Sequence, residues 1–171
     1  MIRSARPGIS SMMILACLSL GLAGAARGQE VWSGHTVYFE KASYADWTLP
    51  ENQDRITPAV WISRKNTQGI FNIAQEDGYS AISPMDTEWA TGSAAEWQNL
   101  TFSTWVIWTG GNPAGTIGLD AVVHLISDGI YIDIRFESFV GGNAGGGFSY
   151  YRGDDPIPVE PAALSMIKKL F

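Results

Sequence analysis

The residues best suited to chemistry lie in one short stretch, residues 124–137, which has the sequence HLISDGIYIDIRFE. Besides Asp128 in its middle, it contains two carboxylates that fall on one strand, Asp133 and Glu137, and one imidazole, His124. Two carboxylates held at a suitable distance can cleave a glycosidic bond as acid and base, or as acid and nucleophile. The same stretch also holds Tyr131 and Arg135, which can bind a ligand by ring contact and by charge.

An Asp128-Gly129 pair between two alternating runs predicts that this stretch forms a β-hairpin. A two-residue type I′ turn at this pair would fix which residues face each other across the strands. We then expect Asp133 to lie opposite His124, where it could set the tautomer of the imidazole and raise its pKa. The predicted cross-strand pairs include Leu125–Ile132, His124–Asp133, Val123–Ile134 and Asp120–Glu137.

Period-two alternation divides the side chains of the hairpin between a core face and a second face. The predicted core face holds Ala121, Val123, Leu125, Ile132, Ile134 and Phe136. The second face mixes charged and apolar groups: Asp120, Val122, His124, Ile126, Tyr131, Asp133, Arg135 and Glu137. Three interpretations of this second face stay open, namely a structural charge network, the floor of a ligand-binding groove, and a catalytic pair of carboxylates.

A second candidate site is the loop DWTLPENQD, residues 46–54. Its carboxylates, Asp46, Glu51 and Asp54, are the kind of oxygen ligand that Ca²⁺ prefers. The loop lacks the glycine and the terminal glutamate of an EF-hand. Calcium is therefore the metal we expect here, and simple turn formation by Asp and Asn is the alternative.

Tryptophans are concentrated between residues 89 and 108. Trp105 and Trp108 are candidates for stacking against sugar rings, with core packing as the alternative. If residues 98–108 form a strand, these two side chains have opposite parity and point to opposite faces unless a bulge intervenes.

The pattern of the remaining chain predicts the strands that position these residues. Short runs rich in Val, Ile, Thr and aromatic residues alternate with Gly, Asn, Asp and Pro. This spacing predicts an all-β fold, an antiparallel β-sandwich or jelly roll, in a single domain. Glycine-rich segments at residues 110–113 and 141–147 are predicted to be loops at one end of a sheet, where binding residues often lie. The predicted strands are residues 35–41, 59–64, 69–75, 87–91, 98–108, 119–127, 130–139 and 147–152.

Both ends of the chain resemble targeting segments. Residues 1–28 contain Arg3 and Arg6, an apolar run and small residues, which is typical of a secretory signal peptide and predicts an extracellular or cell-surface protein. Cys17, the only cysteine, lies in this leader and loosely fits a lipidation site. The domain itself is predicted to span residues 29–153. Residues 154–171 form a Pro-rich tail that resembles a degenerate sorting signal, with an apolar run too short to cross a membrane.

The charge of the chain restricts its partners. The chain has 11 basic and 17 acidic residues, and removal of the leader would take away three arginines and no acid, so the net charge would move from −6 to −9. Nucleic acids and anionic membranes bind basic patches, so we expect neither as a partner. We also expect no transmembrane helix in the mature chain, because the apolar run of its tail is too short to span a bilayer. This charge favours cations or neutral polymers as partners, a polysaccharide or another cell-surface polymer among them, and solubility is the alternative explanation of the charge.

Several stretches resemble an uncharacterised secreted bacterial β-domain. The resemblance covers roughly residues 31–152 and implies export and an all-β fold, but it implies no catalytic residues. Such domains are found in exported, surface-sorted proteins with a C-terminal signal of the Pro-Glu-Pro type. The stretches are DWTLPENQDRIT (46–57), VWISRKNTQGIFNIAQE (60–76), SPMDTEWATG (83–92), DAVVHLISDGIYIDIRFESF (120–139) and GGGFSYYR (145–152).

The sequence therefore predicts an exported, non-catalytic extracellular module that binds a glycan or another surface polymer, with Ca²⁺ as a stabilising ion. A small polysaccharide-cleaving enzyme that uses Asp133, Glu137 and His124 is one alternative. A structural surface or matrix protein is the other.

Overall fold

The computed structural model describes residues 29–155, which form β-strands joined by loops and short helical turns. The predicted leader with Cys17 and the tail from residue 156 onwards lie outside the described residues. The helical segments are α1 (Trp105–Trp108) and the 3-10 helices Pro50–Asn52, Ala94–Asn99 and Pro113–Thr116. The strands are β1 (Glu30–Trp32), β2 (Val37–Lys41), β3 (Asp54–Arg55), β4 (Trp61–Arg64), β5 (Ile70–Asn72), β6 (Thr87–Thr91), β7 (Ala121–Leu125), β8 (Ile130–Phe139) and β9 (Phe148–Arg152).

The strands form two sheets, and the prediction of an all-β fold is confirmed. The larger sheet has the antiparallel order β2-β9-β8-β7-β6, and the smaller has the antiparallel order β3-β4-β5. Strand β8 is ten residues long and can therefore pair with two other strands along its length. Its first three residues pair in parallel with β1, and residues 134–139 pair with β9. The finer choice between a sandwich and a jelly roll stays a prediction.

One hydrophobic core joins the two sheets. Ile62 and Ile70 of the small sheet pack in the same cluster as the side chains of one face of β7 and β8. Full burial of a side chain of this size stabilises the fold by roughly 1.5–3 kcal/mol. The predicted core face of the hairpin is confirmed, because each of its side chains is at most 1% exposed: Ala121, Val123, Leu125, Ile132, Ile134 and Phe136.

The register of the β7–β8 hairpin differs from the prediction by two residues. Leu125 pairs with Ile130, and the amide of Gly129 donates to the carbonyl of Leu125 at 2.8 Å, so four residues form the connection instead of two. A shift of two residues leaves every side chain on its predicted face, because the period of a strand is two. It changes the partners, however: His124 now lies opposite Tyr131.

Contacts with remote segments explain the longer connection. Asp128 accepts a hydrogen bond from Thr57 Oγ1 at 2.6 Å, and Ser127 donates through its amide and its hydroxyl to Asp86 Oδ1 at 3.0 and 2.8 Å. These residues are therefore held by loops that lie elsewhere in the sequence. Local turn preference alone predicted the tighter turn, and tertiary hydrogen bonds override it.

The predicted strand at residues 98–108 is wrong. Most of this segment lies in the 3-10 helix Ala94–Asn99 and in α1, and only Ser103 forms an isolated bridge, with Trp89. Ser93 caps the 3-10 helix, because its side chain accepts a hydrogen bond from the amide of Ala95. Strands β1 and β3, of three and two residues, were not predicted.

Candidate functional site

The predicted site on the second face of the hairpin is closed by a segment of the protein. The 3-10 helix Ala94–Asn99 and the residues that follow it cover this face, and Val122 and Tyr131 form a second small core beneath them. We use the name hairpin face for this side of β7 and β8, with His124, Tyr131 and Asp133. Its polar groups bind other parts of the protein.

Asp133 connects two segments of backbone to β8. Its Oδ1 accepts a hydrogen bond from the amide of Ala94 at 2.6 Å and from Ser93 Oγ at 3.3 Å, and its Oδ2 accepts from the amide of Gly34 at 2.9 Å. Its neighbour across the strands is Val122, so the predicted contact between Asp133 and His124 is wrong. This arrangement gives the carboxylate a structural role.

His124 and Tyr131 lie in a stack of rings. The two rings are parallel within 4° and their centroids are 4.1 Å apart, and Trp97 stacks on the other side of Tyr131 at 4.2 Å. His124 Nδ1 lies 2.8 Å from Glu88 Oε1. Burial, and then the charge of Glu88, raise the pKa of Tyr131. Since Tyr131 is 5% exposed and His124 is 9% exposed, neither ring offers a surface to a ligand.

Glu137 and Arg135 form a half-exposed ion pair with Nε and Oε1 2.9 Å apart. Four residues of strand separate the Cα atoms of Asp133 and Glu137 by about 13 Å. The two carboxylates also have different partners, since one accepts from backbone amides and the other binds Arg135. The structure does not bring the proposed catalytic pair together around one reacting atom.

The three predicted calcium ligands are also separated. Asp46 Oδ1 accepts from the amide and hydroxyl of Thr48 at 2.9 and 2.7 Å, and these hydrogen bonds lower the pKa of Asp46. Glu51 is exposed on the 3-10 helix Pro50–Asn52. Asp54 is buried, and its carboxylate binds Arg152 at 2.7 Å. Within residues 29–155 no group of three or more His, Cys, Asp and Glu residues is placed to hold a metal ion, so this predicted set is wrong.

Trp105 and Trp108 lie on one helical turn instead of a strand. Both rings contact Trp89, with centroids 4.9 and 5.7 Å away, and Trp105 is 1% exposed. Trp105 is therefore packed in the core, which was the alternative to sugar stacking. One part of its ring, however, lines a cavity.

This cavity lies between the two glycine-rich loops and has a volume of about 460 Å³. We call it the loop cavity. It combines the aromatic side chains of Tyr79, Trp105 and Phe139 with amide side chains and one charged group, Arg64. Its remaining lining residues are Gln68, Gly69, Val106, Thr109, Gly111, Asn112, Pro113, Ala114, Gly141, Gly142 and Asn143.

Close backbone packing places the second glycine-rich loop at the cavity. Gly146 has φ of +63°, and a Cβ atom there would collide with the carbonyl of Lys65. The amide of Tyr44 donates to the carbonyl of Gly145 at 2.8 Å, which fixes the loop from the other side. Gly142 also has φ of +63°, but nothing lies within 4 Å of its Cβ position. The C-terminal half of the loop is thus packed, and the N-terminal half is open to the cavity.

Arg64 anchors both ends of that loop. Its Nη1 donates to the carbonyls of Val140 and Gly147 at 2.9 and 3.1 Å, and its Nε donates to the carbonyl of Gln68 at 2.7 Å. Its Cζ lies 3.8 Å from the centroid of the Phe139 ring. Burial lowers the pKa of Arg64 to about 10, so its guanidinium keeps its charge at neutral pH.

The sequence predicted part of this site. The two glycine-rich segments were expected to be loops with binding residues at one end of a sheet, and both line the loop cavity. Arg64, Tyr79, Asn112 and Asn143 were not predicted, because their proximity depends on how separate loops pack.

No known protein family, curated protein or solved structure matches the chain. The resemblance to a secreted bacterial β-domain therefore stays a prediction. The structure itself defines the class of the domain, an all-β fold of antiparallel sheets with one parallel strand at the edge. Across residues 29–155 there is no helix with the length and apolar character needed to span a bilayer.

Proposed function

We propose that this chain is an exported, non-catalytic module that binds a glycan or another surface polymer in the loop cavity. The observation that carries the proposal is the cavity of about 460 Å³, whose lining includes three aromatic residues and three amide side chains. Ligand sites in proteins have volumes of roughly 300–1,000 Å³ and combine apolar walls with a few polar groups.

The chemistry of the lining suits a sugar. Aromatic rings such as Tyr79 offer flat apolar surfaces to the C–H faces of a pyranose, and amide side chains both donate to and accept from its hydroxyl groups. Gln68, Asn112 and Asn143 are exposed at the rim, where such groups can reach a ligand. The acidic net charge of the chain favours such a ligand over a nucleic acid.

The lining also favours binding over bond cleavage. Of the described residues that line the loop cavity, none is Asp, Glu or His, so the cavity has no side chain suited to general acid or base catalysis near neutral pH. The carboxylates of the hairpin face, by contrast, bind backbone amides and Arg135. The geometry thus gives the enzyme alternative little support.

The test is to incubate the purified full chain with insoluble cellulose, chitin, xylan and pectin. Two quantities are measured: the protein depleted from solution and the new reducing ends. We expect depletion by at least one polymer without new reducing ends. The double variant Asn112→Ala, Asn143→Ala should bind less, whereas Asn99→Ala, an exposed asparagine outside the cavity, should bind as the unaltered chain does.

Two results would contradict the proposal. If no polymer depleted the protein, the cavity would not be a polymer-binding site. If the unaltered chain produced new reducing ends, and Asp133→Asn or Glu137→Gln produced none, the chain would be an enzyme.

Export is tested separately, because it depends on residues 1–28. We expect a bacterial host to secrete the chain and remove this leader. Mass spectrometry of the secreted protein should give the mass of a chain that begins near residue 29, and a full-length mass in the cytoplasm would contradict export.

A further inference from the structure

Arg64 is buried in the wall of the loop cavity with part of its hydrogen-bonding capacity unused. The residue is 2% exposed, and its Nε and Nη1 atoms donate to three backbone carbonyls. Its Nη2 atom has no hydrogen-bond partner among the described residues, yet it is not one of the fully shielded polar atoms without a partner. Nη2 is thus not fully shielded, and Arg64 is one of the residues that line the loop cavity.

The charge of Arg64 also has no partner. Within residues 29–155, no carboxylate oxygen lies within 4.0 Å of its guanidinium nitrogens. Its contacts are neutral carbonyls and the face of Phe139, which compensate only part of the cost of burying a cation. A buried charge normally has a counter-charge, and the described part of the chain, residues 29–155, supplies none within that distance.

A second buried cation reinforces the positive potential. Lys41 is 0% exposed, and burial, followed by the charge of Arg64, lowers its pKa. Asp46, which is exposed to solvent, acts on the pKa of Lys41 in the opposite direction. The surroundings of Arg64 are therefore positive, although the chain as a whole carries a net charge of −6.

We infer that the ligand of the loop cavity carries an anionic group, a carboxylate or a sulfate on a sugar, which accepts a hydrogen bond from Arg64 Nη2. This inference rests on the proposed function and names the class of glycan that the cavity takes. Guanidinium groups bind oxyanions through short, charge-assisted hydrogen bonds. Such a bond changes a dissociation constant by roughly 10- to 100-fold.

A matched set of ligands tests the inference on the unaltered full chain. The probes are galacturonic acid trimer, its methyl ester, a neutral galactose trimer and a sulfated galactose trimer, titrated while the tryptophan fluorescence is followed. Trp105 lines the cavity and can report binding. We expect the acid or the sulfate to bind at least tenfold more tightly than the ester, and the comparison between acid and sulfate identifies the anion.

A charge placed at the rim provides an independent test that leaves Arg64 and its structural hydrogen bonds in place. Asn143 is exposed and lines the cavity, so Asn143→Asp should weaken binding of the anionic trimer about tenfold and change binding of the ester much less. Asn99→Asp adds the same charge outside the cavity and should leave both affinities unchanged.

The outcomes separate the two proposals. Equal binding of acid, ester and neutral trimer would overturn the anionic inference and leave the glycan site intact. Absence of binding by every trimer and every polymer would overturn both. Equal losses for the acid and the ester in Asn143→Asp would also overturn the anionic inference, because an added negative charge must weaken an anionic ligand more than a neutral one.

Discussion

The hairpin face and the loop cavity both gather polar and aromatic side chains, but they differ in how those side chains are bonded. On the hairpin face, Asp133 accepts three hydrogen bonds from within the protein and His124 binds Glu88. In the loop cavity, Arg64 Nη2 has no acceptor among the described residues, and Asn143 lies exposed at the rim. The first region is closed, and the second can receive a ligand.

The difference follows from how the two regions are built. Residues of neighbouring strands meet at fixed cross-strand positions, as Glu88 and His124 do, and the segments that pack on the hairpin face supply backbone amides to Asp133. Loops from separate parts of the chain meet without such a register. Among the described residues, the cation of Arg64 contacts the ring of Phe139 and backbone carbonyls, two of them 76 and 83 residues away in the sequence. A high density of charged residues in a sequence therefore predicts a structural network more readily than a binding site.

The largest expected effect tests whether backbone packing fixes the wall of the cavity. In Gly146→Ala the new Cβ would collide with the Lys65 carbonyl, and the residue would also keep a left-handed conformation. We expect a loss of about 4 kcal/mol in the free energy of unfolding, measured by urea denaturation. Gly142→Ala has the same φ in open space and should lose only about 1 kcal/mol. Equal losses would mean that the two halves of the loop do not differ.

The next effect compares the two regions directly. Asp133→Ala leaves the amides of Gly34 and Ala94 without their acceptor, so we expect the free energy of unfolding to fall by about 3 kcal/mol. Asn143→Ala, at the cavity, should change it by less than about 0.5 kcal/mol. Glycan binding should show the reverse order, with Asn143→Ala weakened and Asp133→Ala unchanged while it is folded. A binding defect confined to Asp133→Ala would return the hairpin face to consideration as the site.

A third prediction concerns the buried cluster of Asp54, Tyr150 and Arg152, which is closed in the same way as the hairpin face. Burial, and then the charge of Asp54, raise the pKa of Tyr150 well above its ordinary value. Above about pH 10 the tyrosine loses its proton in the unfolded chain before it does so in the folded chain. The stability that the protonated Tyr150 contributes is therefore complete below about pH 10 and declines as the pH rises.

The measurement is the Tm of the unaltered chain and of Tyr150→Phe between pH 8 and pH 11. Near pH 8 the variant lacks the hydrogen bond from the tyrosine hydroxyl to Asp54 and should be about 1 kcal/mol less stable. The difference should shrink above pH 10. Lowered pKa values of Lys41 and Arg64 act in the opposite direction in both proteins, so the difference isolates Tyr150. If the Tm of the two proteins changed in parallel between pH 8 and pH 11, the raised pKa would not belong to Tyr150.

Alternation and turn residues predicted much of the fold. Strands β6 and β8 have the bounds that the sequence predicted, residues 87–91 and 130–139, and the core face of the hairpin is correct. The register was wrong because Asp128 and Ser127 bind remote groups. The segment 98–108 was predicted as a strand because its apolar content resembles one, whereas the Ser93 cap favours a helical turn.

The candidate site was less predictable than the fold. Glycine-rich composition indicated which loops could carry binding residues. The structure gives a reason for one of these glycines, because the close approach of Gly146 to the Lys65 carbonyl requires a residue without Cβ. Nothing in the local sequence distinguishes Arg64 from an exposed arginine, however. Its burial arises from the packing of two loops against β4, which leaves Nη2 without a hydrogen-bond partner in residues 29–155.

The smallest expected effect addresses the remaining possibility of chemistry on the hairpin face. On the hairpin face, His124 Nδ1 lies 2.8 Å from Oε1 of Glu88, a carboxylate whose side chain is 36% accessible. Solvent screens such a pair, and Glu88→Gln keeps an oxygen that can accept from Nδ1. We therefore expect a loss below about 0.5 kcal/mol in the free energy of unfolding and no change in glycan binding or reducing ends. His124→Ala is the comparison, because it also removes the ring that stacks on Tyr131 and should destabilise the fold more. If Glu88→Gln instead abolished a cleavage activity while it left stability unchanged, the His124–Glu88 pair would be catalytic and the contrast between a closed face and an open cavity would not hold.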